Sequence, residues 1–465
     1  MSTPQRSQRE LADCINRAAP LDDIRILVAC GAKVNEPVTQ GLRPLHYAAY
    51  QRYTEAMKLL LVRGADPNVM DDAGYTPLHL CAERGYLDLM KLLVKHGARV
   101  CFTKVESNDK PYGNPPRASP ADEPLRLAIK NGHYLSAYYL LQNGSDPNAR
   151  YFLGSEINLI SPLNLRFLEL LLSHGSNPDA MDRTGLTPLM KACRHPEGLD
   201  AAYLLLSYGA DVNAMSPPHN DSRTVLHYAV LSGNVNIVKM VLAHGSAVRY
   251  APDYHKSTPL DFAVLTGNID ILKLLIEAGA DVNSGSEVIG SSLHIAVAEK
   301  IENKLEIIQL LLENGANPNS VSVFSEGPLL RPPLAEYFNA SEQPSIELVR
   351  ILLRYGARVI LKHQFHHPLG ILKTIHRLHL GLTPEVLTLI LEAAEEFSIG
   401  SIRRSLMLSD DHKELLLQRA LTPSSMKHLA RLAVRHLLIS GRNLPQTVLQ
   451  LPIPETLKTY LLFDP

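Results

Sequence analysis

The sequence of 465 residues predicts an all-α fold built from repeated helix pairs, and two observations lead to this fold class. A glycine that opens a motif close to G-A-D-x-N recurs ten times, mostly at spacings near 33 residues. Apolar residues at helical spacing precede most of these glycines. Such a period is typical of a solenoid in which each helix pair packs on its neighbours. The ten glycines are Gly31, Gly64, Gly97, Gly144, Gly175, Gly209, Gly245, Gly279, Gly315 and Gly356.

Each repeat carries signals for the start and the end of its helices. The first helix is predicted where threonine and proline precede an apolar run, as in TPLHLCAE from Thr76 and TPLDFAVL from Thr258. Threonine can cap the first helical turn, and proline fixes φ without losing a useful donor. The second helix, such as LMKLLVKHG, ends at a glycine that can adopt a left-handed conformation. This pattern resembles ankyrin repeats, and the resemblance implies an ankyrin-repeat solenoid of about ten repeats over residues 1–360.

Four histidines recur at the same position of their repeats, namely His46, His79, His227 and His294. Residues one repeat apart do not converge on a single ion, so a metal site is disfavoured. In ankyrin-like repeats this imidazole ties neighbouring turns by hydrogen bonds. We therefore predict a structural role, and we expect neither a metal ion nor a cofactor.

Three segments depart from the repeat. Thr103–Asp122 is rich in proline and glycine and predicts a long excursion. The fifth repeat is short, and its first helix is predicted within Ser161–Leu165. Gly327–Pro344 lengthens the last repeat. A solenoid also needs a cover for its last apolar face, and residues 361–402 are predicted to form a helical cap with a helix at Pro384–Phe397.

Composition narrows the classes of partner and the compartment. The formal net charge of −1 gives no broad electrostatic reason to expect nucleic acid or an anionic membrane as a partner. The chain start lacks a signal-peptide pattern, and no window approaches 18 uninterrupted apolar residues. The five cysteines form no C-x-x-C pair, which favours reduced thiols. We expect a cytoplasmic protein, with the nucleus as a further location.

The C-terminal region combines an amphipathic helix, a proline turn and a second apolar segment. The helix is predicted within Ser424–Leu438, followed by LPIP at Leu451–Pro454 and LKTYLLF at Leu457–Phe463. Met426, Ala430 and Val434 share one helical stripe, which can enter an apolar groove of a partner. A second stripe is predicted to pack inside this region and comprises Leu429, Leu432, Ala433 and Leu437.

This order of elements resembles a SOCS box, here residues 403–465, a small domain of three helices. The resemblance implies that the helix binds elongin C and that the LPIP turn, Leu451, Pro452, Ile453 and Pro454, selects cullin-5. Met426 stands where the family pattern has leucine, and Ala430 lacks the sulfur of a cysteine. The residues implied in elongin C binding are Ser425, Met426, Leu429, Ala430 and Val434.

The whole chain thereby resembles the ankyrin repeat and SOCS box family. The resemblance implies a non-catalytic substrate receptor of a ubiquitin ligase, with elongin B, elongin C, cullin-5 and its RING subunit as partners. No nucleophile-elbow, P-loop, H-E-x-x-H or Rossmann pattern stands in a supporting context, so an enzyme is disfavoured. Two alternatives remain open: an interaction scaffold whose SOCS box is degenerate, and a receptor that engages elongin but no cullin.

Apolar residues near predicted hairpin tips are candidates for substrate binding, because such tips are usually polar and aromatic residues dominate interfaces. The alternative is that these side chains fold back against neighbouring repeats. The candidates are Tyr151, Phe152, Tyr254 and Phe324.

Overall fold

The computed structural model describes residues 3–102, 122–250, 256–286, 290–321, 330–364, 366–376, 378, 384–438 and 443–464. These residues are mostly helical, and the predicted all-α fold class is confirmed. The chain divides into two compact units, one up to Ser222 and one from Arg223. The insert predicted at Thr103–Asp122 lies outside the described residues except for Asp122.

The first unit contains helix pairs and one short hairpin. Its helices are α1 (Thr3–Asn16), α2 (Leu21–Ala29), α3 (Pro44–Tyr50), α4 (Thr54–Val62), α5 (Pro77–Arg84), α6 (Leu87–Lys95), α7 (Pro124–Lys130), α8 (Tyr134–Gln142), α9 (Glu156–Leu159), α10 (Leu165–Ser173), α11 (Pro188–Arg194) and α12 (Leu199–Ser207). The antiparallel strands β1 (Arg150–Tyr151) and β2 (Gly154–Ser155) precede α9, and a 3₁₀ helix spans Pro218–Asn220.

The second unit continues the helix pairs and ends in the C-terminal helices. Its helices are α13 (Val225–Leu231), α14 (Val235–Ala243), α15 (Pro259–Thr266), α16 (Ile269–Glu277), α17 (Ser292–Ala298), α18 (Lys304–Glu313), α19 (Pro333–Ala340), α20 (Ile346–Arg354), α21 (Leu372–Ile375), α22 (Pro384–Ala393), α23 (Ile399–Arg404), α24 (Asp410–Leu421), α25 (Met426–Leu438), α26 (Leu444–Leu449) and α27 (Glu455–Leu462). Its strands are β3 (Gly285–Ser286), β4 (Gly290–Ser291), β5 (Val359–Leu361) and β6 (Ala394–Phe397).

The first helix of several repeats begins at a buried capping box, as the threonine and histidine pattern predicts. The backbone N–H of Thr224 donates to Nδ1 of His227 at 2.9 Å, and Thr76 and His79 pair in the same way at 3.1 Å. In the α15 repeat an aspartate replaces the imidazole, and Thr258 N–H donates to Asp261 at 2.7 Å. The cap therefore needs an acceptor three residues after the N-cap, which several side chains can supply.

The other ring nitrogen of His46, His227 and His294 ties one repeat to the next. His46 Nε2 lies 3.0 Å from the carbonyl oxygen of Tyr75, and His227 Nε2 lies 3.1 Å from that of Ser257. Because a carbonyl oxygen only accepts, Nε2 carries the proton and Nδ1 is the acceptor. The predicted structural role of these histidines is confirmed.

The asparagine of the recurring motif links neighbouring repeats at their turns. The Asn35 side-chain amide donates to the carbonyl of Gly64 at 2.9 Å, and its oxygen accepts the N–H of Asp66 at 2.8 Å. The same bond to the next glycine carbonyl is made by Asn68, Asn148, Asn283 and Asn319. The motif therefore ends a helix and also links successive repeats through side-chain hydrogen bonds.

Two predicted helices differ from the structure. In the fifth repeat the first helix is α9 at Glu156–Leu159, whereas Ser161–Leu165 was the predicted position. The predicted helix at Pro384–Phe397 ends at Ala393, and the next four residues form β6, which pairs in parallel with β5. All three β5 side chains are buried, and pairing satisfies their backbone groups, so tertiary contacts override the helix propensity of the Ala-Ala-Glu-Glu run.

Burial lowers the pKa of His79 and His227 to about 4, so both imidazoles are neutral in the folded protein at pH 7. In the unfolded chain they titrate near 6.5, and between these values the unfolded state binds more protons. We expect the free energy of unfolding to fall by about 1–3 kcal/mol between pH 7.5 and pH 5.5 because of these two groups. Urea unfolding at both pH values measures this change.

The matched controls are a double variant His79→Gln with His227→Gln and a surface double variant His96→Gln with His436→Gln. The buried pair should lose stability at pH 7.5 and show a flatter pH dependence, whereas the surface pair should keep the wild-type slope. An equal slope in all three proteins would contradict the prediction.

Candidate protein-interaction sites

Helices α25, α26 and α27 form a small three-helix domain with its own apolar core. Leu444, Val448, Leu461 and Leu462 are buried at its centre. Four partly buried residues pack against this centre, namely Val434, Leu438, Leu451 and Ile453. The loop from α25 to α26 lies outside the described residues between 438 and 443.

Helix α25 presents an apolar face to solvent. Met426 is 81% exposed, Leu437 is 75% exposed and Leu429 is 48% exposed. Ala430 and Ala433 are exposed between them. These five residues, called the outer face below, recur at spacings of three or four and therefore share one side of the helix. A contiguous apolar face of this kind indicates a docking surface for another protein.

The outer face overlaps the predicted docking stripe without matching it. Met426, Leu429 and Ala430 are exposed as a docking role requires, whereas Val434 turns toward the core of the three-helix domain. Ser425 lies at the start of the helix, where its hydroxyl accepts the N–H of His428 at 3.1 Å. The binding roles of these residues stay predictions.

Leu429, Ala433 and Leu437 belong to the stripe predicted inside the domain, yet all three lie on the outer face. The inner face is taken by His428, Arg431 and Arg435, each at most 6% exposed. Arginine is rarely buried, so the apolar pattern alone favoured the opposite orientation. The signal that could have corrected it is the i, i+4 spacing of the two arginines, which places both on one stripe.

The buried arginines attach α25 to the neighbouring helices. Arg435 donates through Nη1 to the carbonyl of Leu461 at 2.5 Å and through Nη2 to the carbonyl of Leu353 at the end of α20. Arg431 donates to the carbonyl of Glu392 at the end of α22, at 2.6 Å. Carbonyls at helix C-termini carry partial negative charge and stabilise these cations. Burial lowers the pKa of Arg435 to about 10, so it remains charged at pH 7.

Aromatic rings and side-chain bonds complete this attachment. The Phe463 ring centre lies 4.1 Å from the Arg431 guanidinium and 4.8 Å from that of Arg435. Asn443 donates to the carbonyl of Glu313 at the end of α18 at 3.1 Å. The three-helix domain is therefore bonded to the C-termini of α18, α20 and α22.

The proline turn at Leu451–Pro454 divides its side chains between core and solvent. Leu451 and Ile453 pack against the apolar core, whereas Pro452 and Pro454 are exposed. Pro454 is also the N-cap of α27, with φ of −55°, which lies in the range that its ring allows. The prolines, rather than the two apolar side chains, are exposed at this turn, and the cullin-binding role of Leu451–Pro454 stays a prediction.

The candidate substrate-binding residues separate into exposed, buried and undescribed. Phe152 is 69% exposed at the tip of the β1–β2 hairpin, and the Arg183 guanidinium lies 4.3 Å from its ring centre. Tyr151 is only 5% exposed, because alternation along β1 turns it inward, so its surface role is not supported. Tyr254 and Phe324 lie outside the described residues.

Titratable groups in the described residues give little sign of catalytic or metal chemistry. Within that part of the chain, no group of three or more His, Cys, Asp or Glu side chains is arranged to hold a metal ion. Burial raises the pKa of Cys193 to about 12 and that of Cys81 further still, so neither thiol is reactive at pH 7. No helix among the same residues has the length and apolarity that crossing a membrane requires.

Comparison with protein families assigns both parts of the chain. Models of ankyrin repeats match residues 13–104, 45–151 and 215–286 as multi-repeat segments, and residues 184–217 and 291–323 as single repeats. The SOCS box model matches residues 422–462, which contain α25, α26 and α27.

Individual relatives are similar over shorter stretches. A zebrafish protein described as the putative palmitoyltransferase ZDHHC13 is 32% identical over 27% of this chain and 19% of its own length. The putative E3 ubiquitin-protein ligase XBAT35 of Arabidopsis thaliana is 39% identical over 18% of each chain. The putative ankyrin repeat protein FPV031 of fowlpox virus is 29% identical over 28% of this chain and 39% of its own. The chain thus spans less than half the length of each of these relatives.

We expect Arg435→Met to loosen the three-helix domain from α20, because the Leu353 and Leu461 carbonyls lose a charged donor. The loss should be about 2–4 kcal/mol of local stability. Hydrogen exchange measured by mass spectrometry should show faster exchange across residues 443–464 than in wild type. The neighbouring surface variant His436→Met is the control, and equal exchange in both variants would contradict the attachment.

Proposed function

Because the chain belongs to the ankyrin repeat and SOCS box proteins, we propose that it is the substrate-recognition subunit of a cullin-RING ubiquitin ligase. Its SOCS box binds elongin C, and through it elongin B, cullin-5 and the RING subunit. Its ankyrin repeats hold the protein to be modified. The product is a ubiquitinated substrate that is directed to the proteasome.

In this proposal the protein contributes position rather than chemistry. The RING subunit carries a ubiquitin-charged conjugating enzyme, and the receptor holds a substrate lysine within its reach. Binding both partners at once raises the effective concentration of the two reacting groups. No residue of this chain is assigned a catalytic role.

The outer face of α25 is the observation that carries the proposal. Three of its side chains, Met426, Leu429 and Leu437, are large, apolar and about half exposed or more. A helix that enters an apolar groove contacts it through residues three and four positions apart, and the outer face has this spacing. Met426 stands in place of leucine, and its flexible thioether can fill a leucine-sized pocket with modest loss.

The hydrogen bonds from α25 to α20 and α22 are a second observation that supports the proposal. A receptor must hold its substrate at a defined place relative to the conjugating enzyme. The Arg431 and Arg435 contacts fix the docking helix to α22 and to α20, the second helix of the last repeat. We place this activity in the cytoplasm or nucleus, where the five free cysteines stay reduced.

A scaffold with a degenerate SOCS box is the second candidate. It is favoured by Met426 and Ala430, which replace the leucine and cysteine of the family pattern. The two functions differ in one measurable property, which is the capture of elongin C.

We expect Met426→Asp with Ala430→Asp to abolish binding of the elongin B–elongin C complex. Docking would bury two unpaired carboxylates, so the dissociation constant should rise at least about a hundredfold. Both positions are exposed in the free chain, so folding should be unchanged. Biolayer interferometry with the purified elongin complex measures the affinity, and circular dichroism measures the folding.

The matched control is Gln446→Asp with Gln450→Asp, an exposed pair at the same spacing, on α26 and at its C-cap. This pair should retain wild-type affinity. Undetectable binding by the wild-type chain would favour the scaffold, and unimpaired binding by the α25 variant would move the docking site elsewhere.

We expect Pro452→Glu to weaken capture of cullin-5 by the elongin-bound receptor while sparing elongin itself. Pro452 is exposed, whereas replacing Leu451 or Ile453 would also remove core contacts. The expected loss is roughly tenfold or more, since a rigid apolar contact is replaced by a charge. Gln450→Glu, two residues earlier and also exposed, is the control for added charge. Equal cullin-5 capture by both variants would argue against a cullin role for the turn.

A further inference from the structure

The tip of the β1–β2 hairpin differs from the other described turns at the same place in the first unit. Phe152 is 69% exposed and Leu153 is 56% exposed, so two large apolar side chains stand side by side at the surface. The turns before α3, α5 and α11 carry small or polar residues instead, at 40–41 (Gln-Gly), 73–74 (Ala-Gly) and 184–185 (Thr-Gly). An apolar pair that is exposed together, unlike a single scattered residue, indicates a contact surface for another molecule.

A groove of about 660 Å³ lies beside this tip, wholly within the first unit. Leu153 and Leu159 supply apolar surface to its lining, and Arg183 and Lys191 supply positive charge. The volume falls in the range of sites that take a small ligand or a few side chains of a partner. The groove is thus continuous with the exposed apolar tip through Leu153.

The charges that line the groove leave one cation in excess. Lys191 Nζ lies 2.6 Å from the carboxylate of Asp182, so these two charges offset each other. The same carboxylate accepts three further hydrogen bonds from Thr184 and Leu186 and is only 8% exposed. The positive charge that remains is that of Arg183.

The Arg183 side chain is exposed and held next to the apolar tip. Its guanidinium carbon lies 4.3 Å from the ring centre of Phe152, and its backbone N–H donates to the carbonyl of Leu153 at 3.2 Å. Within the part of the chain that the structure describes, no carboxylate pairs with this guanidinium and no hydrogen bond uses its N–H groups. Stacking covers one face of the planar group and leaves the N–H groups at its edge available to a partner.

This arrangement selects a partner segment that combines an acid with an apolar side chain. A carboxylate can accept two parallel hydrogen bonds from a guanidinium, the strongest pairing open to Arg183. A cation would be repelled there, and a neutral side chain would forgo the charge attraction. Because Arg183 is stacked on Phe152, the acid and the apolar side chain of the partner must also be close together.

We propose that the groove and the hairpin tip bind an acidic segment of the substrate. In this segment an aspartate or glutamate lies within about two residues of a large apolar side chain, since an extended chain advances about 3.3 Å per residue. The carboxylate pairs with Arg183, and the apolar side chain packs on Phe152, Leu153 and Leu159. This inference rests on the proposed function, in that it names the class of substrate segment that the repeats recognise.

The first test is selection of displayed random linear peptides on the immobilised full-length chain. We expect enrichment of aspartate or glutamate close to a leucine, isoleucine, methionine or phenylalanine. The best peptide should bind about tenfold more weakly when its acid is replaced by the corresponding amide, because the charged hydrogen bonds are lost. A selection without acidic enrichment, or equal binding by the amide version, would overturn the proposal.

Variants of Arg183 decide whether the selected peptides use this site. Arg183→Gln should weaken the best peptide about tenfold, and Arg183→Glu should weaken it further through repulsion. Arg194→Gln is the matched control, because it removes an exposed arginine of the same unit that does not line the groove. The Arg183→Glu variant should recover affinity for a peptide whose acid is replaced by lysine, which a purely structural role of Arg183 would not produce. Equal binding by Arg183→Gln and Arg194→Gln would contradict the assignment.

Phe152→Ser tests the apolar half of the site and should weaken the best peptide at least about fivefold. Val62→Ser, at a 76% exposed valine on α4, is its control, and thermal melting of both variants checks that they fold. Unchanged peptide affinity of Phe152→Ser would exclude the hairpin tip from binding.

Elongin capture separates this inference from the function on which it rests. The Arg183→Gln variant should capture elongin C as wild type does. If the wild-type chain fails to capture elongin C while the peptide results hold, the ligase role fails and the acidic-segment site stands. If elongin C is captured and the peptide results fail, this site alone is wrong.

Discussion

A buried histidine at the start of three repeats, His46, His227 and His294, pairs with backbone groups of its own repeat and of the next one, and the stacking of these repeats depends on it. In the α13 repeat, Nδ1 of His227 accepts the N–H of Thr224, and Nε2 donates to the carbonyl of Ser257. Thr224 is buried and Ser257 is half-buried, so losing the imidazole leaves a donor and an acceptor without their partner. The histidine therefore couples the start of its helix to the contact between neighbouring repeats.

In other repeats, different side chains stand at the position of His227, and they pair with different groups. Asp261 still accepts the N–H of Thr258, and its second oxygen accepts a hydrogen bond from the hydroxyl of Ser292 at 2.7 Å. Burial raises the pKa of its carboxyl group. Arg126 reaches forward to the buried Glu156 at 3.0 Å. Asn158 donates to the carbonyl of Ala180 at 2.7 Å, and its buried Oδ1 atom has no partner among the described residues. The same position of a repeat can thus carry a base, an acid or an amide without a change of secondary structure.

The sequence predicted features that depend on local signals and missed those that depend on burial elsewhere. The repeats, their histidine ties and the three C-terminal helices follow from capping residues, glycines and helical spacing. The strand β6 and the inward turn of Tyr151 depend on partners distant in sequence. The predicted orientation of α25 was partly wrong, because its buried side chains include arginines that donate to carbonyls at the ends of other helices. No local pattern in the sequence indicates these contacts. Met426 and Ala430 were placed at the surface correctly, while Val434, Ala433 and Leu437 were not. Leu429 was assigned both to the inner stripe and to the docking residues, and it is exposed.

The arginine contacts of α25 also bear on how this region could be reused. Residues 422–462 match a family model as a unit, yet Arg431 and Arg435 bind carbonyls at Glu392 and Leu353, far outside that range. A fusion protein that borrowed the segment alone would leave two guanidinium groups stacked on Phe463 with half of their acceptors missing. The smallest portable piece therefore begins before α20, and a fusion built from it would carry the last helix pair of the repeats together with the three-helix domain.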